Sequence, residues 1–349
     1  QREFYFQNGY LCATELISRD IVDELLNVTG KFLNESREVT ESNDVYDLAP
    51  GHSKERPLLR RLKEPDAQHK TYWSFSNGII ADVAADLVGP DVFFHHSKLN
   101  FKWHDGDDTV QWHQDIQFYP HTNYSPLAIG CYLEDTGLDD GPVAIIPGSH
   151  DGPLYELYNE QGQWTGGLNE ADAAKLDTNS AVYLNAPAGS ITVHNSRTVH
   201  GSPPSKRADG RPLLINNYGS ADAFAYTPSP TASRNYRAIV RGKAARWAHH
   251  DPRPCLIPPD WSGGYTSIFA AQSGEESSTA LEPTWVPNFA LRCQCCCMFD
   301  IGRDEYIRWR GRAMTGTRTS SRCAADLCRI AREFNTGNHL LNGQRQPGI

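Results

Sequence analysis

The segment from residue 91 to residue 218 constrains the fold most, because it divides into short β-type runs. Gly, Pro, Asn and Asp separate these runs, as is typical of turns between strands. The predicted strands cover residues 92–103, 127–134, 143–147, 190–194 and 213–218. Several short strands with turns between them are typical of a sandwich or a barrel, so we expect a mainly β fold.

Helical patterns flank and interrupt the β-type runs. We predict helices over residues 18–33, 78–88 and 169–176. Ser18 or Asp20 can cap the first helix, and the breaker pair Gly89-Pro90 ends the second. Residues 34–70 are polar and show no clear period, so they are expected to form loops that cover an opening of a site.

The pattern weakens beyond about residue 240. Residues 252–259 are rich in proline, and residues 274–279 form a small polar run typical of a linker. Aromatic residues between these stretches, including Phe269, indicate that part of the region still packs on the body. We therefore predict a domain over residues 1–240 and a C-terminal extension over residues 241–349 that is partly packed and partly disordered.

The nine cysteines do not predict a disulfide framework or a zinc site. Four of them crowd together between residues 293 and 297, and two more lie at 323 and 328. Only Cys293 and Cys296 have the Cys-x-x-Cys spacing of zinc ligands, and no second such pair follows. Reduced thiols are the expected state.

Charge and hydropathy exclude several classes of partner. Thirty-three basic and 42 acidic residues give a net charge of −9, and no stretch clusters Lys and Arg as nucleic-acid binding requires. The apolar stretches are too short to span a bilayer, and the first residues form no signal-peptide run. We expect a cytoplasmic protein with no nucleic-acid or membrane partner. Its oligomeric state is left open.

A His-x-Asp pair is the first sign of a metal site. His113 and Asp115 are two residues apart, so on an extended strand both side chains point to the same face. A third ligand is needed, and His200, followed by two small residues, is the best candidate. His194 is its main competitor. Two histidines and one carboxylate form the set that binds non-haem Fe(II) with open positions, although each histidine alone would more often be structural.

Three segments are distinctive in combination: WHQDIQFYPH at residues 112–121, IIPGSH at 145–150, and VHGS at 199–202, which Arg211 follows. Together they resemble the phytanoyl-CoA dioxygenase family of Fe(II)/2-oxoglutarate-dependent oxygenases. The resemblance runs from about Phe4 to Tyr218 and includes Asn8-Gly9-Tyr10 near its start. It implies a double-stranded β-helix core, the cupin-like jelly roll, with flanking helices, and makes residues 1–240 the oxygenase domain.

The resemblance also implies roles for individual residues. The implied iron ligands are His113, Asp115 and His200. Arg211 would bind the distal carboxylate of 2-oxoglutarate, a role that suits a planar, bidentate guanidinium, and the Ser202 hydroxyl would support the same carboxylate. Lys98 and Tyr132 fall where the family often places further contacts with this co-substrate.

The implied reaction consumes O2 and 2-oxoglutarate and hydroxylates an unactivated C–H bond of a small organic molecule, with succinate and CO2 as co-products. Desaturation, epimerisation or cyclisation at the same iron site, as in secondary metabolism, is one alternative. A non-catalytic jelly-roll binding protein is another, which the loss of a metal ligand or of Arg211 would have indicated. The substrate is not fixed by the resemblance, and residues 34–70 and 155–181 are expected to select it.

Overall fold

Two antiparallel β-sheets form the body of the protein. The computed structural model describes residues 1–104, 109–231, 233–259 and 268–273 of the 349-residue chain. All of these residues belong to one compact unit, Gln1–Pro283. The strands are β1 (Tyr10–Ala13), β2 (Tyr46–Leu48), β3 (Leu59–Lys63), β4 (Val92–Asn100), β5 (Val110–His113), β6 (Leu127–Tyr132), β7 (Ala144–Ile145), β8 (Val182–Tyr183), β9 (Ile191–Asn195), β10 (His200–Ser202), β11 (Leu213–Ser220) and β12 (Ile239–Arg241).

The larger sheet has the strand order β1-β9-β6-β11-β4-β3-β2, and β12 also pairs with β4. The smaller sheet has the order β5-β10-β7-β8. Strands that are distant in sequence are therefore neighbours in both sheets, as β1 and β9 are. This arrangement confirms the prediction of a mainly β, jelly-roll core with flanking helices.

Helices flank the two sheets. They are α1 (Arg2–Asn8), α2 (Arg19–Glu35), α3 (Pro65–Gln68), α4 (Lys70–Ser76), α5 (Ile79–Val88), α6 (Glu170–Ala173) and α7 (Ile268–Ser273). Leu25 of α2 and Ile80 of α5 pack in one apolar core with Phe94, Ile129 and Val193 of the sheet. Because side chains alternate along a strand, the opposite face of the same strands is left for the site. No helix within the described ranges is long and apolar enough to cross a membrane.

The sequence predicted the elements with apolar buried faces. The predicted helices correspond to α2, α5 and α6, and the five predicted strands correspond to β4, β6, β7, β9 and β11. The prediction of loops over residues 34–70 was wrong, since β2, β3 and α3 lie there. Strand β3 reads Leu-Arg-Arg-Leu-Lys, which has no apolar alternation. Its charges are accommodated inside the protein: Arg60 pairs with Asp47 at 3.0 Å, and Arg61 donates a hydrogen bond to Asn100.

The C-terminal extension is described only in part. Phe269 of α7 is 5% exposed. The predicted domain boundary at residue 240 falls inside β12, and the division of the chain into two domains stays a prediction. Cys12, Cys131 and Cys255 are free thiols. The predicted linker at residues 274–279 and the other six cysteines lie outside the described residues.

Candidate metal centre

Three buried side chains converge between the two sheets. His113 ends β5, His200 begins β10, and the two residues are paired directly across these strands. Asp115 follows His113 after one intervening residue. One ligand atom from each of the three side chains lies within 4.8 Å of the others. The structure thus brings together the three residues that the sequence predicted as metal ligands.

A single extended residue places His113 and Asp115 side by side. Strand β5 ends at His113, Gln114 keeps the extended conformation, and Asp115 opens a 3-10 turn, Asp115–Gln117. The Gln114 side chain points away from His113 and Asp115. Its Nε2 donates to the Arg197 carbonyl at 2.7 Å, and its Oε1 accepts from the Tyr155 amide at 3.0 Å. These bonds fix the residue between the two ligands, so the backbone alternation on which the pair depends is held in place.

Backbone carbonyls set the tautomer of both histidines. His113 Nδ1 lies 2.8 Å from the carbonyl oxygen of Gln111, and His200 Nδ1 lies 2.9 Å from that of Thr198. A carbonyl oxygen can only accept, so each Nδ1 carries the hydrogen and each Nε2 presents a lone pair. The two Nε2 atoms lie 3.6 and 3.9 Å from Oδ1 of Asp115. Metal-binding histidines are oriented by this kind of hydrogen bond.

The charge states of the site suit a divalent metal. Burial opposes ionisation of Asp115, but His200, His113 and other neighbours outweigh it and place the pKa of this carboxyl well below its usual value. Burial and the adjacent histidines lower the pKa of His200 well below its usual value. At neutral pH the site therefore offers an ionised carboxylate and a neutral imidazole. Two neutral histidines and one carboxylate with open positions are the donor set of non-haem Fe(II) oxygenases.

A cavity of about 70 Å³ adjoins the three ligands. The other polar side chains that line it are Lys98, Asn100, Lys102, His194, Ser202 and Arg211. Ile268 and Phe269 of α7 line it as well, so the C-terminal segment forms part of the wall. Three of the predicted co-substrate contacts, Arg211, Ser202 and Lys98, are thus placed at the cavity.

Arg211 is buried and firmly positioned. Its Nη2 donates to the carbonyl of Gly141 at 2.6 Å and its Nε to the carbonyl of Asp140 at 3.3 Å. Tyr132, a further predicted contact, is not among the described residues that line the cavity. Its ring lies 5.8 Å from the Arg211 guanidinium, and its hydroxyl accepts a hydrogen bond from the Val143 amide. Tyr132 therefore lies beside Arg211, with its ring facing the guanidinium, and a direct contact with the co-substrate stays a prediction.

His194, which the sequence offered only as a competitor of His200 for the third ligand, lies at the site together with His200. Its Nε2 lies 3.6 Å from Oδ2 of Asp115, the oxygen turned away from His113 and His200, and its ring centroid is 4.1 Å from that of His200. Neither ring nitrogen has a hydrogen-bond partner among the described residues. The one available signal was alternation along β9, which points Thr192 and His194 to the same face.

Lys102 was missed as well. Its Nζ donates to the carbonyl oxygens of Pro203 at 2.6 Å and Ser202 at 3.3 Å, next to the cavity. It follows the end of β4 in an irregular segment, so no periodic pattern indicated the direction of its side chain.

Strand β10 needs a small residue at Gly201. A Cβ at this position would lie 2.7 Å from the Val110 carbonyl oxygen of β5.

This double sheet with a buried His-Asp-His set defines the class of 2-oxoglutarate-dependent non-haem iron dioxygenases. The family model described as phytanoyl-CoA dioxygenase (PhyH) matches residues 5–212. The chain belongs to this family, as its motifs implied, and it uses iron and 2-oxoglutarate.

Relatives and solved structures agree with this assignment. A probable alpha-ketoglutarate-dependent hypophosphite dioxygenase of Stutzerimonas stutzeri is 30% identical over 275 residues, which cover 78% of this chain and 96% of that protein. The iron-bound crystal structure of EctD from S. alaskensis matches with a TM-score of 0.55 and 21% identity over 72% of this chain and 87% of that one. The epimerase SnoN, in complex with Fe3+, alpha ketoglutarate and nogalamycin RO, matches with a TM-score of 0.52 and 19% identity over 74% and 93%. At such identities the two structures show the shared fold.

Proposed function

We propose that His113, Asp115 and His200 bind the iron of this dioxygenase, and that Arg211 and Ser202 bind the distal carboxylate of 2-oxoglutarate. The observation that carries the proposal is the pair of Nε2 lone pairs facing one ionised carboxylate inside a buried cavity. With 2-oxoglutarate and O2, the bound iron supplies the oxidation of an unactivated bond, and succinate and CO2 are the co-products.

The residues around the metal centre position the reactants and limit access of water. A guanidinium binds a carboxylate through two parallel hydrogen bonds, so Arg211 can fix the orientation of the co-substrate as well as its charge. Ile268 and Phe269 present apolar surface to the same cavity. A wall of this kind favours productive oxidation because it keeps water away from the reacting groups.

The cavity favours a small anionic substrate. Lys98 and Lys102 line it in addition to Arg211, so it contains more positive charge than the co-substrate carboxylate alone would require. The relative that aligns over 96% of its own length is named for hypophosphite, an anion with P–H bonds. We therefore infer that the substrate is an anion, either an organic molecule hydroxylated at C–H or hypophosphite oxidised at P–H. Desaturation, epimerisation or cyclisation at the same iron is the alternative outcome.

We also propose that the protein is cytoplasmic and binds no nucleic acid. A net charge of −9 without a basic cluster supports the second part, because nucleic-acid binding requires clustered Lys and Arg.

Succinate formation tests the proposal. The iron-loaded protein is incubated with 2-oxoglutarate, O2 and a panel of organic anions plus hypophosphite, and 31P NMR follows conversion of hypophosphite to phosphite. We expect substrate-dependent succinate from the native chain. His113→Ala and His200→Ala should lose both iron and turnover, since a three-ligand site loses most of its affinity with one ligand. Full iron occupancy in both variants would refute the ligand assignment.

A further inference from the structure

A second cavity, of about 320 Å³, adjoins the metal-centre cavity at Lys98, whose side chain lines both. Its charged lining residues are Arg61, Lys63, Lys98, Arg234, Asp44 and Glu64. Four positive and two negative side chains give this surface an excess of two positive charges, within a chain whose net charge is −9. The positive excess is thus a local feature that the overall composition does not explain.

Strand pairing places these cations on one face of the larger sheet. Lys63 of β3 lies directly opposite Lys98 of β4, and Arg61 lies opposite Asn100. Residues opposite each other in an antiparallel pair share a face, and like charges in that position repel. Arg61 Nε also donates to Asn100 Oδ1 at 3.0 Å, and Asn100 lines the metal-centre cavity. Lys98 and the Arg61–Asn100 hydrogen bond therefore link the linings of the two cavities.

The positive side chains of the second cavity range from exposed to buried. Arg234 is exposed, Lys63 is half-buried, and Arg61 is only 3% exposed. Lys98, at the junction of the cavities, has no hydrogen-bond or ion-pair partner among the described residues. Burial lowers its pKa, the Asp115 carboxylate partly offsets this effect, and Arg61 adds to it. A partly buried ammonium without a partner is unfavourable unless a ligand supplies the missing negative charge.

We propose that the second cavity binds the oxyanion group of an organic substrate, a carboxylate or a phosphorus oxyanion, so that the attached carbon chain extends past Lys98 to the metal centre. This rests on the proposed function and narrows its substrate class. The volume supports it, because the second cavity, of about 320 Å³, has room for an anion larger than hypophosphite. Cations along a cleft also attract anions from solution and raise their local concentration.

Anion binding to the loaded protein tests the site. The full chain is saturated with Fe(II) and 2-oxoglutarate without oxygen, so that the Arg211 position is occupied, and inorganic phosphate or acetate is titrated by calorimetry at constant ionic strength. We expect saturable binding of at least one anion. Lys63→Ala and Arg234→Ala should each weaken it by about tenfold or more, as expected for a lost charge-assisted hydrogen bond. The comparison between phosphate and acetate shows which oxyanion the cavity prefers.

Lys206→Ala is the matched control, since it removes one ammonium whose partner is the exposed Asp139 at 2.7 Å. Binding in this variant should equal that of the native chain. The absence of saturable binding, an equal loss in Lys206→Ala, or weaker anion binding when the excess of 2-oxoglutarate is raised would overturn the proposal. Binding of 2-oxoglutarate in the same samples reports separately on the proposed function and should be unchanged in Lys63→Ala and Arg234→Ala.

Discussion

At the scale of the residue, two carbonyl oxygens determine which ring nitrogen His113 and His200, the proposed ligand histidines, present to the site. The carbonyls of Gln111 and Thr198 each lie two residues before the histidine that they orient. The orienting group is therefore built into the same strand-end segment as the ligand. A short motif can therefore specify both a histidine and the carbonyl that orients it. Only the pairing of β5 with β10 depends on the rest of the fold.

Arg211 gives the first prediction at this scale. Arg211→Lys should retain iron but raise the 2-oxoglutarate concentration needed for half-maximal turnover by roughly 10- to 100-fold, because an ammonium cannot reproduce two parallel hydrogen bonds. Succinate formation against 2-oxoglutarate concentration measures the change. Arg207→Lys is the control, since Arg207 pairs with Glu134 and does not line the cavity. An unchanged titration in Arg211→Lys would show that a different residue binds the carboxylate.

His194 gives the second prediction. Because its Nε2 faces the outer oxygen of Asp115, His194→Phe should lower Fe(II) affinity by about tenfold, the lower end of the effect of removing a group that supports a metal ligand. A chelator competition measures this affinity without turnover. His249→Phe, at an exposed histidine paired with Asp222, should leave it unchanged. Equal affinities in all three proteins would exclude a supporting role for His194.

At the scale of the element, strands with apolar faces could be predicted from the sequence, and strands with polar faces could not. Strands β6 and β11 could be predicted because their buried residues are mostly apolar. Strand β3 could not, because the partners of its arginines, Asp47 and Asn100, lie far away in sequence. The proposed metal ligands could be selected from local alternation and motif, whereas the positions of His194 and Lys102 depend on packing between remote strands.

Helix α7 gives the prediction at this scale. Gln272 caps the edge strand β5: its Oε1 accepts from the Gln111 amide at 2.8 Å, and its Nε2 donates to the Gly166 carbonyl at 2.9 Å. Gln272→Ala should therefore free the Gln111 amide, and a loss of about 1 kcal/mol corresponds to roughly fivefold faster hydrogen exchange there. Gln163→Ala, at an exposed loop, should not change that rate. Unchanged exchange in Gln272→Ala would mean that α7 does not protect β5 in solution.

At the scale of the whole molecule, apolar side chains are buried on one side of the larger sheet and charged side chains on the other. The outer face of the larger sheet packs on helices through apolar side chains such as Leu25 and Ile80. The space on the inner side of this sheet instead holds buried charge, including Arg61 of β3, Asp115 and Arg211, around the cavities. Buried charge is costly unless it is paired or binds a ligand, so the apolar core must stabilise a site that is itself unfavourable without its metal and co-substrate. Ligand binding should consequently raise the stability of the whole chain.

The last prediction concerns how much of the chain this unit needs. Ile268 and Phe269 of α7 are 7% and 5% exposed and pack in a cluster with Phe118, Trp164 and Leu168. A chain ending at Pro283, the limit of the compact unit, should retain the stability and iron binding of the full protein. A chain ending at Pro259 lacks α7 and should lose at most about 3–6 kcal/mol, the value of burying two large apolar side chains.

Urea unfolding of the two shortened chains and the full chain, each with and without Fe(II) and 2-oxoglutarate, measures these differences. The chain ending at Pro283 is the control for shortening itself, because it retains α7. Removal of α7 also takes away one wall of the metal-centre cavity, so the additional stability that iron and 2-oxoglutarate confer should shrink in the chain ending at Pro259. Equal unfolding midpoints for both shortened chains would show that α7 contributes nothing to the unit. A midpoint for the chain ending at Pro283 well below that of the full protein would place the limit of the unit further along the chain.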